Sequence, residues 1–267
     1  MILAAGEGRR MRPLTNTSPK PLLEVAGLSL LEHQLKRLEV AGIQEVVINV
    51  SYLGEKIMEA FQGRTDLGLK IHYSIEKTPL ETAGGIIKTL SFFDGEPFLL
   101  VNGDVWSDFP LESLVQRGLR AGEDACLLLV DNPEHHSDGD FILGSNERIE
   151  CIDSGLPQGA GIRTSDAAED SNSLVEENTL SDAYILGDAH TLDYAYRAVK
   201  TNTFAGISVL NPSLFDQYAL SAEPLPLKTV LLPAITQGRV AGQYYAGYWC
   251  DVGTVERLNS LRARLSE

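Results

Sequence analysis

The sequence predicts an α/β fold in which helices cover both faces of a mostly parallel central sheet. Short apolar runs typical of buried strands alternate along the chain with stretches whose apolar residues recur at helical spacing. That order is typical of β-α-β units, which build parallel sheets. Polar motifs follow several of the apolar runs directly, and ligands of such sheets bind beyond the carboxyl ends of the strands. We therefore expect the functional site at that edge of the sheet.

The individual elements follow from periodicity and stop signals. Residues 1–5 are predicted as strand one. The spacing of Leu31, Leu35 and Leu38 predicts a helix over 29–41, which Gly42 ends. The other predicted elements are, in chain order, strand 45–50, helix 53–61, strand 70–74, helix 84–90, strand 98–101, helix 111–121, strand 125–130, strand 204–210, helix 227–237, strand 240–245 and helix 254–265.

The chain is predicted to form a single domain over residues 1–267. Its 267 residues, 43% of them hydrophobic, are enough to bury one large core. The stretch from 154 to about 203 departs from the alternation, because much of it is rich in Ser, Asp, Glu, Asn and Gly and has little periodicity. We expect a mobile acidic insertion there.

Composition indicates a cytoplasmic protein without nucleic-acid or membrane partners. Cys126, Cys151 and Cys250 are widely spaced and odd in number, which is typical of reduced thiols. No apolar run approaches the ~20 residues that span a bilayer. The pI of about 4.7 disfavours non-specific binding to nucleic acid, which needs a basic face. Because no β-helix repeat follows the core, we expect a monomer or weak homodimer.

The first twenty residues concentrate positive charge. Four basic side chains stand there against one acidic side chain, Glu7, whereas the whole chain has a net charge of −15. The basic residues are Arg9, Arg10, Arg12 and Lys20. Because guanidinium and ammonium groups bind phosphate oxygens, this local charge predicts a site for a polyphosphate.

A glycine-containing loop after strand one would bring the backbone to that anion. Gly6 and Gly8 lack a Cβ, so the chain can approach an anion closely and point successive N–H groups at it. The motif GxxxxGK[ST] of P-loop NTPases is absent. Met11 replaces the third glycine of the dinucleotide fingerprint, which disfavours a NAD-dependent oxidoreductase. Alone, the loop is equally compatible with an ordinary glycine turn.

Two aspartates follow predicted strands and could hold one divalent ion between them. Asp104 belongs to the segment NGD, which directly follows the apolar run 98–101. Asp251 lies in the segment WCDVGT before the last predicted helix. Carboxylates at such an edge suit Mg²⁺, which keeps several waters and bridges phosphate oxygens. The alternatives are structural: Asp104 could form an Asx turn, and Asp251 could cap the helix, although Thr254 fits that role better.

Paired glycines at a predicted helix start indicate a place where a flat ring could approach the backbone. The segment PLETAGG places Gly84 and Gly85 at the beginning of the predicted helix. Backbone N–H and C=O groups there could read the edge of a base. A plain junction between loop and helix is the alternative.

Four motifs, taken in order, resemble those of the sugar-1-phosphate nucleotidylyltransferases. They are GEGRRMRPLT with PKP at residues 6–21, LETAG at 80–84, NGD at 102–104 and DVGT at 251–254. Within that family, PLET, VNGDVW, LVDNP and GDF resemble most closely the N-acetylmuramate-1-phosphate uridylyltransferases of bacterial cell-wall recycling. The resemblance covers both ends and the core of the chain and misses mainly residues 154–203.

The resemblance implies both a fold and a reaction. The fold is a Rossmann-like three-layer sandwich with a mixed, mostly parallel central sheet, of the nucleotide-diphospho-sugar transferase type. In the implied reaction, UTP and N-acetylmuramate 1-phosphate give UDP-N-acetylmuramate and pyrophosphate, with Mg²⁺ as cofactor. Its nucleophile is already a phosphate dianion, so no general base is required, and the protein must align two anions and neutralise the leaving group.

By motif position, the family assigns Arg10 to the leaving pyrophosphate, Lys20 to the α-phosphate and sugar phosphate, and Asp104 and Asp251 to the metal. Glu81 stands where many relatives have glycine. The implied nucleotide-binding positions are Ala5, Gly6, Gly8, Arg9, Arg10, Lys20, Glu76, Glu81, Thr82 and Gly84. The implied sugar-phosphate-binding positions are Asn102, Gly139, Asp140 and Gly206.

Other functions and details stay open. A thymidylyl- or guanylyltransferase of glucose or mannose 1-phosphate fits the same motifs, and a non-catalytic nucleotide-sugar sensor of this fold would not need the metal and pyrophosphate groups. Asp140 could bind sugar hydroxyls or be a solvated turn residue. The lactyl carboxylate of muramate calls for a cation, for which Arg148 and Arg163 are both candidates. His135 and His136 are adjacent, so we expect them to point apart at the surface rather than to share a metal.

Overall fold

The computed structural model describes residues 1–152, 200–221 and 223–266. Met1–Ile152 and Thr201–Glu267 form one compact unit. The insertion predicted at 154–203 lies outside the described residues except at its end, where Thr201 already begins a strand. Among the described residues, no helix combines the length and the apolar character needed to cross a membrane.

Helices and strands follow one another largely in the predicted order, and the strands at 45–50 and 125–130 begin and end at the predicted residues. The helices of the described residues are α1 (Leu30–Val40), α2 (Gly54–Phe61), α3 (Glu81–Thr89), α4 (Leu111–Arg117), α5 (Leu227–Thr236) and α6 (Val255–Arg264). The strands are β1 (Ile2–Leu3), β2 (Glu24–Val25), β3 (Leu28–Ser29), β4 (Glu45–Val50), β5 (Lys70–Ile75), β6 (Phe98–Asn102), β7 (Val105–Ser107), β8 (Ala125–Val130), β9 (Phe141–Leu143), β10 (Ile149–Cys151), β11 (Thr201–Leu210), β12 (Val240–Tyr244) and β13 (Trp249–Asp251).

The central sheet is mixed, as the resemblance implies. Its order is β10-β9-β11-β6-β1-β4-β5, and β8 pairs with both β11 and β12. The strands β6, β1, β4 and β5 run parallel, and β12 runs parallel to β8. The long strand β11 runs antiparallel to β6, β8 and β9. The carboxyl ends of β1, β4 and β6 therefore lie together at one edge.

Helices cover both faces of this sheet, which confirms the three-layer arrangement. Because successive side chains of a strand point to opposite faces, each buried strand contributes side chains to the apolar cores on both faces of the sheet. Ile2, Ile48 and Val101 pack on the face covered by α1, α2 and α4. Val47 and Leu100 pack on the opposite face, which α3 and α5 cover.

A third apolar cluster fixes the last helix beside the glycine loop. Leu258 and Leu261 of α6 are fully buried against Met11, Val25 and Val252. Met11, which stands in place of the third glycine of the dinucleotide fingerprint, thus has a packing role. It anchors the N-terminal loop to the end of the chain.

The structure departs from the predicted elements mainly where segments are short. The hairpin β2–β3, the pair β7–β13 and strands β9 and β10 contain two or three residues each, too few to show a period. Helix α4 ends at Arg117 rather than at 121, because Gly118 takes a φ of 54° and leaves the helix. Helix α3 begins at Glu81 rather than at 84.

Candidate active site

Two adjoining cavities open at the carboxyl ends of β1, β4 and β6. The first has a volume of about 410 Å³ and lies over the glycine loop. The second has a volume of about 360 Å³ and lies beside β13. Arg10, Asn102 and Asp104 line both cavities. A ligand group held by these three residues would therefore be within reach of molecules in both.

The first cavity contains most of the positions expected to bind the nucleotide. Gly84 is the exception. The expected residues that line this cavity are Ala5, Gly6, Gly8, Arg9, Arg10, Lys20, Glu76, Glu81 and Thr82.

The glycine loop is shaped by Gly8. Its φ of 63° lies in the left-handed region that favours glycine, and its carbonyl accepts hydrogen bonds from the Met11 N–H at 2.9 Å and the Thr15 hydroxyl at 2.9 Å. A Cβ at position 8 would lie 3.0 Å from Thr15 Cγ2. At Gly6, by contrast, a Cβ would meet nothing within 4 Å. That space belongs to the cavity, where a bound anion could approach the backbone.

The two arginines of the loop differ in their partners. The Arg9 Nε donates to Glu7 Oε2 at 2.6 Å, and the side chain is largely exposed. Arg10 makes no ion pair within the described part of the chain, although it lines both cavities. Its guanidinium is thus the one whose charge is available to a ligand at the junction of the two cavities.

Lys20 bridges the loop to the end of β6. Its Nζ lies 2.5 Å from Asp104 Oδ2, and the residue is only 8% exposed. The short turn Lys20–Leu22, introduced by Pro19, brings the ammonium group beneath the cavity. A buried lysine needs such a partner, and phosphate oxygens could compete for the same ammonium group.

Asp104 and Asp251 are brought together by the pair β7–β13. Asp251 pairs with Val105, and the Val252 N–H donates to the backbone carbonyl of Asp104 at 2.8 Å. Both side chains line the second cavity. Asp251 ends a strand of this small sheet rather than of the central sheet. The two aspartates thus line one cavity, and their joint binding of a metal stays a prediction.

Asp251 is held by two side chains, of which His135 also lines the second cavity. Arg257 Nη1 donates to Asp251 Oδ1 at 2.5 Å, and His135 Nε2 lies 3.1 Å from the same oxygen. His136 also lines the second cavity, but its Nε2 lies 3.1 Å from a different carboxylate oxygen, Asp140 Oδ1. The adjacent histidines therefore face different partners, as predicted for neighbours in a chain.

The donor set near Asp104 and Asp251 fits a hydrated divalent ion. Among the described residues, no cluster of three or more His, Cys, Asp or Glu side chains could enclose a metal. Mg²⁺ does not need such a cage, since it binds through one or two carboxylates and otherwise through waters and phosphate oxygens. Two carboxylates on one cavity wall match that requirement.

A buried glutamate closes the far end of the first cavity. Glu76 is 3% exposed, and it accepts hydrogen bonds from Asn49 Nδ2 at 2.8 Å and from the Leu80 N–H at 3.0 Å. Asn49 Oδ1 in turn accepts the Ala4 N–H at 2.8 Å. This chain of bonds ties the carboxylate to β4 and to the end of β1. Its remaining lone pairs are the acceptors that a base could use.

The start of α3 explains two features of the segment PLETAGG. Glu81 has a φ of 63°, a left-handed conformation that glycine adopts without strain and a residue with a side chain does not. Gly84 packs away from the cavity, where a Cβ would lie 2.8 Å from Leu80 Cβ. Gly85 is the closer approach, since a Cβ there would lie 2.8 Å from Glu76 Oε1. Whether Gly84 contributes to nucleotide binding stays a prediction.

The residues expected to bind the sugar phosphate fall into two groups. Asn102 and Gly206 line the second cavity, and Gly139 and Asp140 are absent from the lining that the structure describes. Asp140 is engaged with the backbone, because its Oδ2 accepts the Phe204 N–H at 2.8 Å. Its position favours the support of β11 over direct contact with a sugar, and the sugar-binding role stays a prediction.

Comparison with known proteins agrees with this geometry. A family model described as nucleotidyl transferase matches residues 1–153, more than half of the chain. The chain belongs to the nucleotidyl transferase family. It is 38% identical over 266 residues to the N-acetylmuramate alpha-1-phosphate uridylyltransferase of Neisseria meningitidis serogroup B, with 98% of this chain and 96% of that relative covered. The resemblance inferred from the four motifs is confirmed.

More distant relatives share the fold. The nucleotidyltransferase is 29% identical over 260 residues to the mannose-1-phosphate guanylyltransferase catalytic subunit beta of Drosophila melanogaster, covering 95% of this chain and 58% of that longer relative. A crystal structure described as a glucose-1-phosphate thymidylyltransferase from Bacillus anthracis superposes with a TM-score of 0.72 at 16% identity, over 98% of this chain and 93% of that one. The crystal structure of HddC from Yersinia pseudotuberculosis complexed with GMP-PN superposes with a TM-score of 0.69 at 19% identity, over 99% of this chain and 97% of that one.

Arg148 of this nucleotidyltransferase lies at the wrong end of the sheet to meet a sugar substituent. Its Nη1 is 3.5 Å from Glu123 Oε1, just before the amino end of β8. The first residue of β8 pairs with Leu210, which pairs with Phe98 at the amino end of β6. The cavities are at the opposite end. Of the two cations considered for the lactyl carboxylate, Arg148 is therefore excluded, and Arg163 lies outside the described residues.

Sequence reasoning missed three residues of the nucleotidyltransferase site. Asn49 carried one usable signal, since it is a polar residue inside the apolar run VVINV. His135 was expected at the surface rather than beside a predicted metal ligand. Arg257 carried no signal, because it meets His135 across 122 positions of the chain. Only the fold brings them together.

Proposed function

We propose that this chain transfers a uridylyl group from UTP to N-acetylmuramate 1-phosphate, giving UDP-N-acetylmuramate and pyrophosphate. The observation that carries the proposal is the pair of cavities joined at Arg10, Asn102 and Asp104. Such a junction is what a direct reaction between two bound phosphates requires. The near full-length similarity to a uridylyltransferase of the same sugar supports the choice of substrates.

The reaction follows from charge and alignment. The sugar phosphate has a second pKa near ~6 and is already a dianion at neutral pH, so it can attack the α-phosphate without a general base. The protein must overcome the repulsion between two anions and stabilise the charge on the departing pyrophosphate. We assign to Lys20, which lines the first cavity, the task of holding the α-phosphate and the incoming phosphate together. To Arg10, which lines both cavities, we assign the binding of the leaving group.

Asp104 and Asp251 would hold the divalent ion, which we propose is Mg²⁺. When bound, it would neutralise part of the charge of the reacting phosphates. The contribution of the chain is to keep both carboxylates on one wall of the second cavity. It does so through the pairing of β7 with β13.

Glu76 favours bases that donate a ring N–H. A carboxylate can only accept hydrogen bonds, and uracil N3–H and guanine N1–H donate at the position where cytosine and adenine present an acceptor. Glu76 therefore supports UTP over CTP and ATP. It does not separate UTP from dTTP or GTP, because thymine N3–H and guanine N1–H donate at the same position. The similarity to a guanylyltransferase makes GTP a second candidate.

The location and assembly of the protein belong to the same proposal. The three cysteines form no disulfide, which is consistent with a reducing cytoplasm. There, the reaction would return muramate to nucleotide-activated form in peptidoglycan recycling. We further propose that the protein acts as a monomer or weak homodimer, with no nucleic acid or membrane partner.

The proposal is tested by pyrophosphate release in the presence of Mg²⁺. UTP, dTTP, GTP and CTP are each paired with the 1-phosphates of N-acetylmuramate, N-acetylglucosamine, glucose and mannose. We expect release with UTP and N-acetylmuramate 1-phosphate. Release with GTP and mannose 1-phosphate instead would favour the guanylyltransferase. If no pair releases pyrophosphate and the protein still binds nucleotide sugars, the result would favour a non-catalytic nucleotide-sugar sensor.

A further inference from the structure

Arg257 stands directly behind one of the two aspartates proposed to bind metal. It lies in the first turn of α6, and its side chain is 18% exposed. Its Nη1 donates to Asp251 Oδ1 at 2.5 Å, and His135 contacts both Arg257 and the same oxygen. Within the described residues, Asp251 Oδ2 accepts no hydrogen bond. One oxygen of this carboxylate is therefore fixed and the other is open.

Asp104 shows the same pattern. Lys20 holds its Oδ2 at 2.5 Å, and its Oδ1 has no hydrogen bond from the residues that the structure describes. Each of the two carboxylates thus has one oxygen fixed by a cation of the protein. A carboxylate fixed in this way cannot rotate freely, so it presents its second oxygen in a set direction, as partners behind metal ligands commonly ensure.

The backbone around Arg257 is arranged to let the guanidinium reach Asp251. A Cβ at Gly253 would collide with the Arg257 guanidinium and would lie 3.3 Å from Arg10 Nη2. The Arg257 N–H donates to Thr254 Oγ1 at 3.3 Å, which fixes the first turn of the helix. The absence of a side chain at position 253 therefore leaves room for two guanidinium groups at this wall.

We propose that Arg257 is a positioning residue, which orients Asp251 so that its open oxygen meets the divalent ion in the geometry the reaction needs. The inference rests on the proposed function, because it takes Asp251 as a metal ligand. Arg257 does not line either cavity among the described residues, so it acts through the aspartate rather than on a substrate.

The proposal has a signature that a purely structural role would not give. The charge of Arg257 repels a cation bound at Asp251, so its removal does not weaken the attraction between the site and the metal. Its removal does release the carboxylate, and misplacement of reacting groups by about 1 Å can lower turnover by ~10²-fold. Affinity for the metal and turnover should therefore separate.

The experiment measures Mn²⁺ binding by the electron paramagnetic resonance of the free ion, without substrates, and kcat separately with UTP and N-acetylmuramate 1-phosphate. The variants are Arg257→Gln, Arg257→Lys, Asp251→Asn and, as the matched control, Arg262→Gln. Arg262 lies on the same helix and carries the same charge, but its Nε bonds the Glu24 carbonyl away from the cavities.

We expect Arg257→Gln to bind Mn²⁺ at least as tightly as the wild type, while its kcat at saturating metal falls about tenfold or more. Arg257→Lys should recover part of that loss because it keeps the charge and one donor. Arg262→Gln should match the wild type in both measurements. A kcat of Arg257→Gln within about twofold of wild type would overturn the proposal. So would a joint loss of Mn²⁺ binding and thermal stability. If Asp251→Asn binds Mn²⁺ as the wild type does, the metal assignment itself fails, and the role of Arg257 falls with it.

Discussion

Gly206 gives the sharpest test of the second cavity. It lies within β11, where the register to β8 is irregular, and its φ is 72°. A Cβ there would lie 2.6 Å from Asn102 Nδ2 and 2.9 Å from Asn102 Cγ. Gly206→Ala would therefore add backbone strain and push Asn102 from its place at the junction of the two cavities.

The magnitude can be separated with a second glycine. Gly238 has a φ of 67°, but a Cβ there would meet nothing within 4 Å. Gly238→Ala should cost only the left-handed backbone strain, about 1–2 kcal/mol of unfolding free energy. Gly206→Ala should cost this plus about 1–3 kcal/mol for the overlap with Asn102. The difference between the two variants isolates the contact.

The assay combines urea unfolding with steady-state kinetics. Because Asn102 would move, the KM of Gly206→Ala for the sugar phosphate should rise about tenfold, whereas Gly238→Ala should keep the wild-type value. The reasoning is refuted if the two variants have equal unfolding free energies and equal KM values for the sugar phosphate.

Three further predictions concern the nucleotide cavity and the far end of the sheet. Arg10→Ala should lower kcat by about 10²–10³-fold, because the charge of Arg10 acts on the leaving group. Calorimetry should show little change in sugar-phosphate binding. If the substitution weakened only that binding, the assignment of Arg10 to the leaving group would be wrong. Glu81→Gly should raise the unfolding free energy by about 0.5–1 kcal/mol, since it removes a left-handed φ of 63° from a side-chain-bearing residue; a loss of stability in urea would contradict this. Burial alone would raise the pKa of Glu123, but hydrogen bonds from Arg117 and a backbone N–H, together with nearby arginine charges, lower it overall. A lowered folded-state pKa contributes stability above the unfolded pKa of about 4.3, and that contribution is lost as pH falls through the folded value. Glu123→Gln should therefore cost about 3 kcal/mol at pH 7 and flatten the acid side of the stability profile, and an unchanged profile would count against the ion pair.

Much of the fold could be predicted because long apolar runs and helical spacing are local signals. The short runs at 45–50 and 125–130 favour buried strands by their length. Ser29 and Thr254 mark the beginnings of α1 and α6 by capping them. The antiparallel direction of β11 could not be predicted, because a period of two carries no information on strand direction. The pair β7–β13 was missed because three residues cannot show alternation.

The candidate site divides in the same way. Residues on contiguous motifs, such as Arg10 and Asp104, could be proposed from the sequence, since their neighbours in the chain define their surroundings. Contacts between distant segments could not, and these decide what Asp251 touches and why Arg148 is far from the cavities. Gly85 lies against Glu76 whereas Gly84 packs against Leu80, a distinction that the sequence could not give because both glycines belong to one predicted helix start.

The central claim is that the protein joins UTP to N-acetylmuramate 1-phosphate. It is tested most directly by competition in one vessel, with UTP, Mg²⁺ and equal amounts of the 1-phosphates of N-acetylmuramate, N-acetylglucosamine, glucose and mannose. Mass spectrometry of the products then reports the ratio of kcat/KM values. We predict that UDP-N-acetylmuramate dominates the early products. A different dominant nucleotide sugar, with activity dependent on Asp104, would preserve the mechanism but contradict the assigned substrate.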